Sequence, residues 1–151
     1  MQEGSRGLSP MAVGAASHHN CRALVLGDRQ LDDDQILALI DRDAVIGAAL
    51  DIWMLFPGFV TGETPNTLVS LNTVADHIDH VCQLAGNSRH ATVGSDLDGE
   101  FGTEQTPHDV NTIGDLQKLP GVLSSRGYTG HEIENIMYRN WLRVLERALP
   151  G

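Results

Sequence analysis

A chain of 151 residues is the size of one ordinary domain, and 41% apolar with 20% charged residues is the composition of a globular protein able to bury a core. Ten basic against twenty acidic residues give a formal net charge of −10, which repels phosphate backbones and anionic membrane surfaces, and 5% aromatic content offers no stacking platform for bases. Nucleic acid and membrane are therefore not expected partners. No apolar run approaches the ~20 residues of a membrane span.

The first ten residues, MQEGSRGLSP, lack the apolar segment of a signal peptide and are expected to be disordered. MAVGAAS (11–17) reads as a short buried strand ending at His18. Cys21 follows, and with Cys82 it fits neither a disulfide framework nor a CxxC metal clip, so reduced thiols and a cytoplasmic location are expected. LDDDQILALIDRD (31–43) predicts a helix with Asp32 as N-cap, an acidic first turn, and Ile36, Leu37, Leu39 and Ile40 as its apolar face. AVIGAALDIW (44–53), almost wholly apolar, is the pattern of a strand covered on both faces. The Pro- and Gly-containing loop from Leu55 to Asn66 is long for this kind of unit and is a candidate site lining.

A second helix is expected over about 68–85, with Leu68, Leu71, Val74, Ala75, Ile78, Val81 and Leu84 on one side and a stop at Gly86–Asn87. HATVGSDLDG (90–99) predicts a third strand running into a loop with Asp96 and Asp98. A polar, glycine-rich loop to about Asn111 precedes helical pieces at 112–118 and 121–126, divided at Pro120. The last helix, 130–148, opens on the capping-box pair Thr129 and Glu132 and turns Ile133, Ile136, Met137, Trp141, Val144 and Leu145 inward. No repeat or linker divides the chain. Strands alternating with helices argue for α/β architecture with parallel βαβ units, yet three strands are few for an open sheet, and a complete (β/α)8 barrel takes roughly 250 residues.

Function in α/β folds gathers at the C-terminal ends of the strands. Those ends carry His18, then Asp51 and Trp53, then Asp96 and Asp98. His18 with Asp96 reads either as half of a metal-hydrolase or acid–base site, or as a strand-end pair capping loop backbone. ADHIDHV (75–81) sets His77 and His80 one helical turn apart, but HEXXH-type zinc sites use i and i+4 with a third ligand. Packed histidines, hydrogen-bonded by Asp76 and Asp79, are the favoured reading. SDLDG lacks the ladder and late glutamate of a calcium loop. Cys21, near His18 and Arg22, is a conceivable nucleophile, with a small packed residue as the favoured alternative. No nucleophile elbow, P-loop or dinucleotide fingerprint is present.

In order, SHHNCRALVLGDRQLDDDQI, VIGAAL, VADHIDHVCQLAG, VGSDLDGEFG, RGYT and NWLRVLE resemble the C-terminal part of the membrane (renal) dipeptidase family, from about residue 11 to 148. The resemblance implies a partial (β/α)8 TIM-type barrel, with about three parallel strands and flanking helices in one incomplete domain spanning 1–151. It also implies zinc-dependent hydrolysis of dipeptides, in which a hydroxide bridging two zinc ions attacks the peptide carbonyl. By position, His18 matches a zinc ligand, and Arg29, eleven residues on, matches the arginine that binds the substrate carboxylate. Asp96 matches the aspartate that handles the proton of the attacking water and the leaving amine. Asp98 matches a neighbour for which a loop-holding role is inferred. His77, His80 and His19 fall outside the zinc set.

The family's remaining zinc ligands lie upstream of its SH strand, whereas only about sixteen residues precede that strand here and none is His or Asp. A dinuclear site needs about five protein ligands, so by itself this chain is expected to be inactive. The segment Pro120–Arg126 is also shorter than the family's helix. A different reading is a non-catalytic half-barrel that binds or assembles, self-associating through open sheet edges.

Overall fold

The computed structural model describes residues 15–16, 19–60, 62–95 and 105–149. They form an α/β unit whose three strands, β1 (Ala15–Ala16), β2 (Val45–Ala49) and β3 (Ala91–Ser95), pair in parallel in the order β1-β2-β3. All five residues of β2 are buried, as expected for a strand covered on both faces. The predicted strand over 44–53 is nonetheless shorter. The β2–β3 register slips between Ala48 and Ala49, and the chain turns into a 3-10 segment at Ile52–Met54.

Helix α1 (Asp33–Asp41) starts as its sequence dictates: Asp32 accepts from Gln35 N–H at 2.8 Å, and the Gln35 side chain accepts from Asp32 N–H at 2.9 Å. Helix α2 (Leu71–Ala85) begins later than expected. Ser70 caps it, and Asp109 accepts from Leu71 N–H, while Leu68 sits in a preceding 3-10 turn and is 58% exposed. Gly86 ends it at φ 75°, a left-handed conformation that favours glycine. Ile36, Leu71, Val74, Ile78 and Ile136 close over the sheet as one core.

A 3-10 stretch (Ile113–Lys118) runs straight into α3 (Leu119–Ser125), with Pro120 in its first turn, where no amide donor is needed. The Thr129–Glu132 capping box opens α4 (Gly130–Glu134), which continues through a π-helical stretch (Asn135–Arg139) into α5 (Asn140–Ala148). The sequence predicts no such interruption. Within it, Ile136 O accepts from the hydroxyl of Thr92 of β3 at 2.7 Å, which ties the stretch to the sheet. Ile136, Asn140 and Val144 are buried beyond this point, and Leu145, expected inward, is 48% exposed. No helix among the described residues is long and apolar enough to cross a membrane.

Because Ile46 N–H bonds His90 O, the carbonyls of Ala91 and Val93 point to the outer edge of β3. Side chains of α5 occupy them: Asn140 donates to Ala91 O at 2.8 Å and to Ser88 O at 2.7 Å, and the Trp141 indole donates to Val93 O at 3.0 Å. At the opposite end of the strands, Asp43 adopts φ 58° and gathers Arg89, Arg143 and Arg147. The Arg89 hydrogen bonds, 2.9 and 3.0 Å long, are the main cause that holds the Asp43 carboxyl far below the usual carboxylate range.

Asn140→Leu should strand the buried Ala91 and Ser88 carbonyls and lower the unfolding free energy by about 2–3 kcal/mol in urea titrations. A loss under about 0.5 kcal/mol would remove Asn140 from the role of edge cap. Asp43→Asn keeps the turn but not the charge, and should cost about 1 kcal/mol at neutral pH. The folded state depresses the Asp43 pKa, so this contribution is present above the unfolded value near 3.9 and fades as pH falls below it. The gap between wild type and variant should therefore narrow from pH 5 to pH 2.

Candidate functional site

The described strand ends and loops of the C-terminal face are built around Asn20. Its carboxamide accepts from Ala49 N–H at 2.9 Å and donates to Ala49 O at 3.1 Å, so a side-chain amide stands where a further peptide of β1 would pair with β2. Asn20 is 1% exposed, and its backbone closes the next loop: Leu31 N–H donates to Asn20 O, and Arg22 N–H donates to Leu31 O, both at 2.8 Å.

The closed loop is braced internally. Arg22 donates through Nε to Gly27 O at 3.1 Å and through Nη2 to Gln30 O at 3.0 Å. Gln30, buried to 1% exposure, donates to Met54 O at 2.8 Å, the same carbonyl that Asn20 reaches at 3.3 Å. One carbonyl thus fastens the loop after β1 to the loop after β2. Arg29 lies in the Gly27–Gln30 turn of this frame and is exposed to solvent.

Beneath the loop, Cys21 N–H donates to His77 Nδ1 at 3.0 Å. This bond requires an unprotonated Nδ1, and burial, the main cause, pushes the His77 pKa down to about 4. Burial likewise pushes the Cys21 thiol up to about 12, with Asp33 adding to it, so Cys21 packs as a small residue rather than serving as a nucleophile. His80 binds Asp33 of α1 at 2.7 Å. Both helix histidines are therefore engaged, but not by the aspartates expected from the sequence: Asp76 pairs with Arg126, and Asp79 accepts from Tyr128 and Gln83.

At the end of β2, Asp51 is 9% exposed and accepts from the Trp53 indole at 2.6 Å. Between the two loops lies a cavity of about 530 Å³, walled largely by apolar side chains. His18, Asp96 and Asp98 lie outside the described residues. Of the predicted site residues the structure therefore places Arg29 alone. His19 N–H donates to Gly47 O at 3.0 Å. Among the described residues no group of three or more His, Cys, Asp or Glu side chains is placed to hold a metal ion, so they do not form a zinc site by themselves.

The sequence gives no role to Asn20 or Gln30, and it offers Arg22 only as a neighbour of Cys21 rather than as a brace of the loop. The available signal was Asn20's place two residues past a predicted strand end, since an amide side chain can both donate to and accept from the neighbouring strand.

Comparison with known proteins identifies the family and the fold. The family model for membrane dipeptidases (peptidase family M19) matches residues 12–149. A Klebsiella pneumoniae protein, described only as uncharacterized and encoded in the pqqA 5′ region, is 31% identical over 134 residues, covering 88% of this chain and 46% of that protein. An uncharacterized dipeptidase of Schizosaccharomyces pombe is 27% identical over 128 residues, 85% of this chain and 29% of its own length. Among solved structures, an M19 metallopeptidase described as dipeptidase AC superposes with a TM-score of 0.75 at 25% identity, over 88% of this chain and 37% of its own. A Rhodobacter sphaeroides metallopeptidase, crystallised with a phosphinate mimic of L-Ala-D-Ala, gives 0.75 at 24% identity, over 89% and 36%. The chain spans less than half the length of each of these relatives.

The folded state depresses the His77 pKa, and the neutral ring supports the loop that carries Arg29. Unfolded chains bind more protons between about pH 6.5 and 4, so stability should fall across that window by at most about 3 kcal/mol. His77→Gln should flatten this part of the profile in urea titrations at pH 7 and pH 5. An unchanged slope in the variant would remove His77 as its source.

Proposed function

The chain belongs to the membrane dipeptidase family, and from that premise we propose that it carries part of the active site of a zinc-dependent dipeptidase. The observation that supports this best is the placement of Arg29, in a loop braced by Arg22, Gln30 and Asn20 at the C-terminal ends of the strands. That position suits a guanidinium receiving the carboxylate of a dipeptide through two parallel hydrogen bonds, and a preorganised loop loses little freedom on binding.

In this reading His18 ligates one zinc ion. Zinc, when bound, supplies an activated water and polarises the peptide carbonyl. Asp96 takes the proton from the attacking water and returns it to the leaving amine. Asp98 steadies the loop that carries Asp96. With His18 as the one matched ligand, these 151 residues are proposed to hold no complete dinuclear centre and to have no turnover alone. Self-association is the subordinate reading. With Asn140 and Trp141 on the outer carbonyls of β3, such pairing is left to the outer edge of β1. Two buried free thiols are consistent with a reducing cytoplasm.

The test joins this chain to the N-terminal portion of the Klebsiella relative and compares the fusion with the chain alone. Metal analysis should find about two zinc ions per fusion, which hydrolyses alanyl-alanine, and neither property in the chain alone. Zinc-loaded, active chain by itself would refute the incompleteness. In the fusion, Asp96→Asn should lower kcat by about 100-fold or more and keep the zinc; loss of metal would count against proton transfer. Arg29→Lys should raise KM about tenfold with a smaller change in kcat, and an unchanged KM would sink its assignment.

A further inference from the structure

The cavity between the loops after β1 and β2 has a volume of about 530 Å³, within the ~300–1,000 Å³ typical of small-molecule pockets. Leu24, Val25, Leu26, Trp53, Pro57 and Phe59 form most of its wall. Leu24 and Trp53 are 40% and 37% exposed, so apolar surface is left open to water where a ligand can cover it. Among the described lining residues Arg22 is the charged one, and its guanidinium is already committed to the Gly27 and Gln30 carbonyls, with Asp32 at 3.8 Å.

The walls are also fixed in place. The Trp53 ring is tethered by its N–H to Asp51, and Met54 O holds the two loops together through Asn20 and Gln30. A charged group entering this space would lose hydration and find no unengaged charged partner among the described lining residues, whereas an aliphatic or aromatic group would shed water and gain contacts. Arg29 stands three residues beyond Leu26 in the same closed loop.

We infer that this cavity is a subsite for an uncharged apolar amino-acid side chain, selecting dipeptides whose C-terminal residue is leucine- or phenylalanine-like. The inference rests on the family reading for its ligand class, with Arg29 as the anchor of the adjoining carboxylate. The subsite is made by this chain's own loops, so it is measurable on the 151-residue protein without turnover.

The indole N–H signals of Trp53 and Trp141 in the NMR spectrum of the full chain provide the readout, Trp141 serving as an internal control at β3. Glycyl-leucine should move the Trp53 signal saturably and leave Trp141 in place, and glycyl-aspartate should bind at least about tenfold more weakly. Leu24→Asp places a carboxylate in the wall and should reverse the order, favouring glycyl-lysine over glycyl-leucine, an outcome an unfolded variant cannot give. Equal affinity for glycyl-leucine and glycyl-aspartate would overturn the subsite, as would a Trp53 signal unmoved by both glycyl-leucine and glycyl-leucinamide. If glycyl-leucinamide, which has no carboxylate, binds as well as glycyl-leucine, the apolar subsite is supported and the Arg29 anchor is refuted.

Discussion

A short parallel sheet must find partners for the peptide groups its strands leave unpaired, and here side-chain amides supply them. Asn20 pairs with both backbone groups of Ala49 beyond the end of β1, and Asn140 with Trp141 takes the outward carbonyls of β3. A buried backbone group without a partner costs about 1–3 kcal/mol, comparable to the whole effect of many point mutations. These amides therefore decide where the strands end and which way the following chain departs. The loops of the C-terminal face and the docking of α5 both follow from them.

The same economy of polar contacts links scaffold to site. Met54 O receives both Asn20 and Gln30, so one carbonyl ties the loop after β1 to the loop after β2. His77, buried in α2, accepts from Cys21 at the base of the loop that carries Arg29. Arg29 itself makes no demand on the core. What Arg22 and Gln30 fix is the backbone of the loop that carries it.

The two ends of the sheet are built differently. The Asp43 cluster ties the start of β2 to β3 and α5 with three arginines around one carboxylate. The opposite end carries the cavity, Asp51 and Arg29. Barrel-type folds place binding at the C-terminal ends of strands because the loops there vary without disturbing the layer that packs the core.

The sequence by itself determined what local chemistry can encode: the capped starts at Asp32 and Thr129, the stop at Gly86, and the buried character of β2. Periodicity and caps suffice because helix ends and buried faces are governed by residues within a turn of one another. It could not fix the partners of His77 and His80, because Cys21 and Asp33 reach them across 56 and 47 residues of chain. Nor could it foresee the π stretch at Asn135–Arg139, where a carbonyl meets a hydroxyl on β3, or Leu145 turning outward. The tertiary structure decided those points, because a hydrogen bond between distant segments depends on how their elements pack and leaves no periodic trace in either segment.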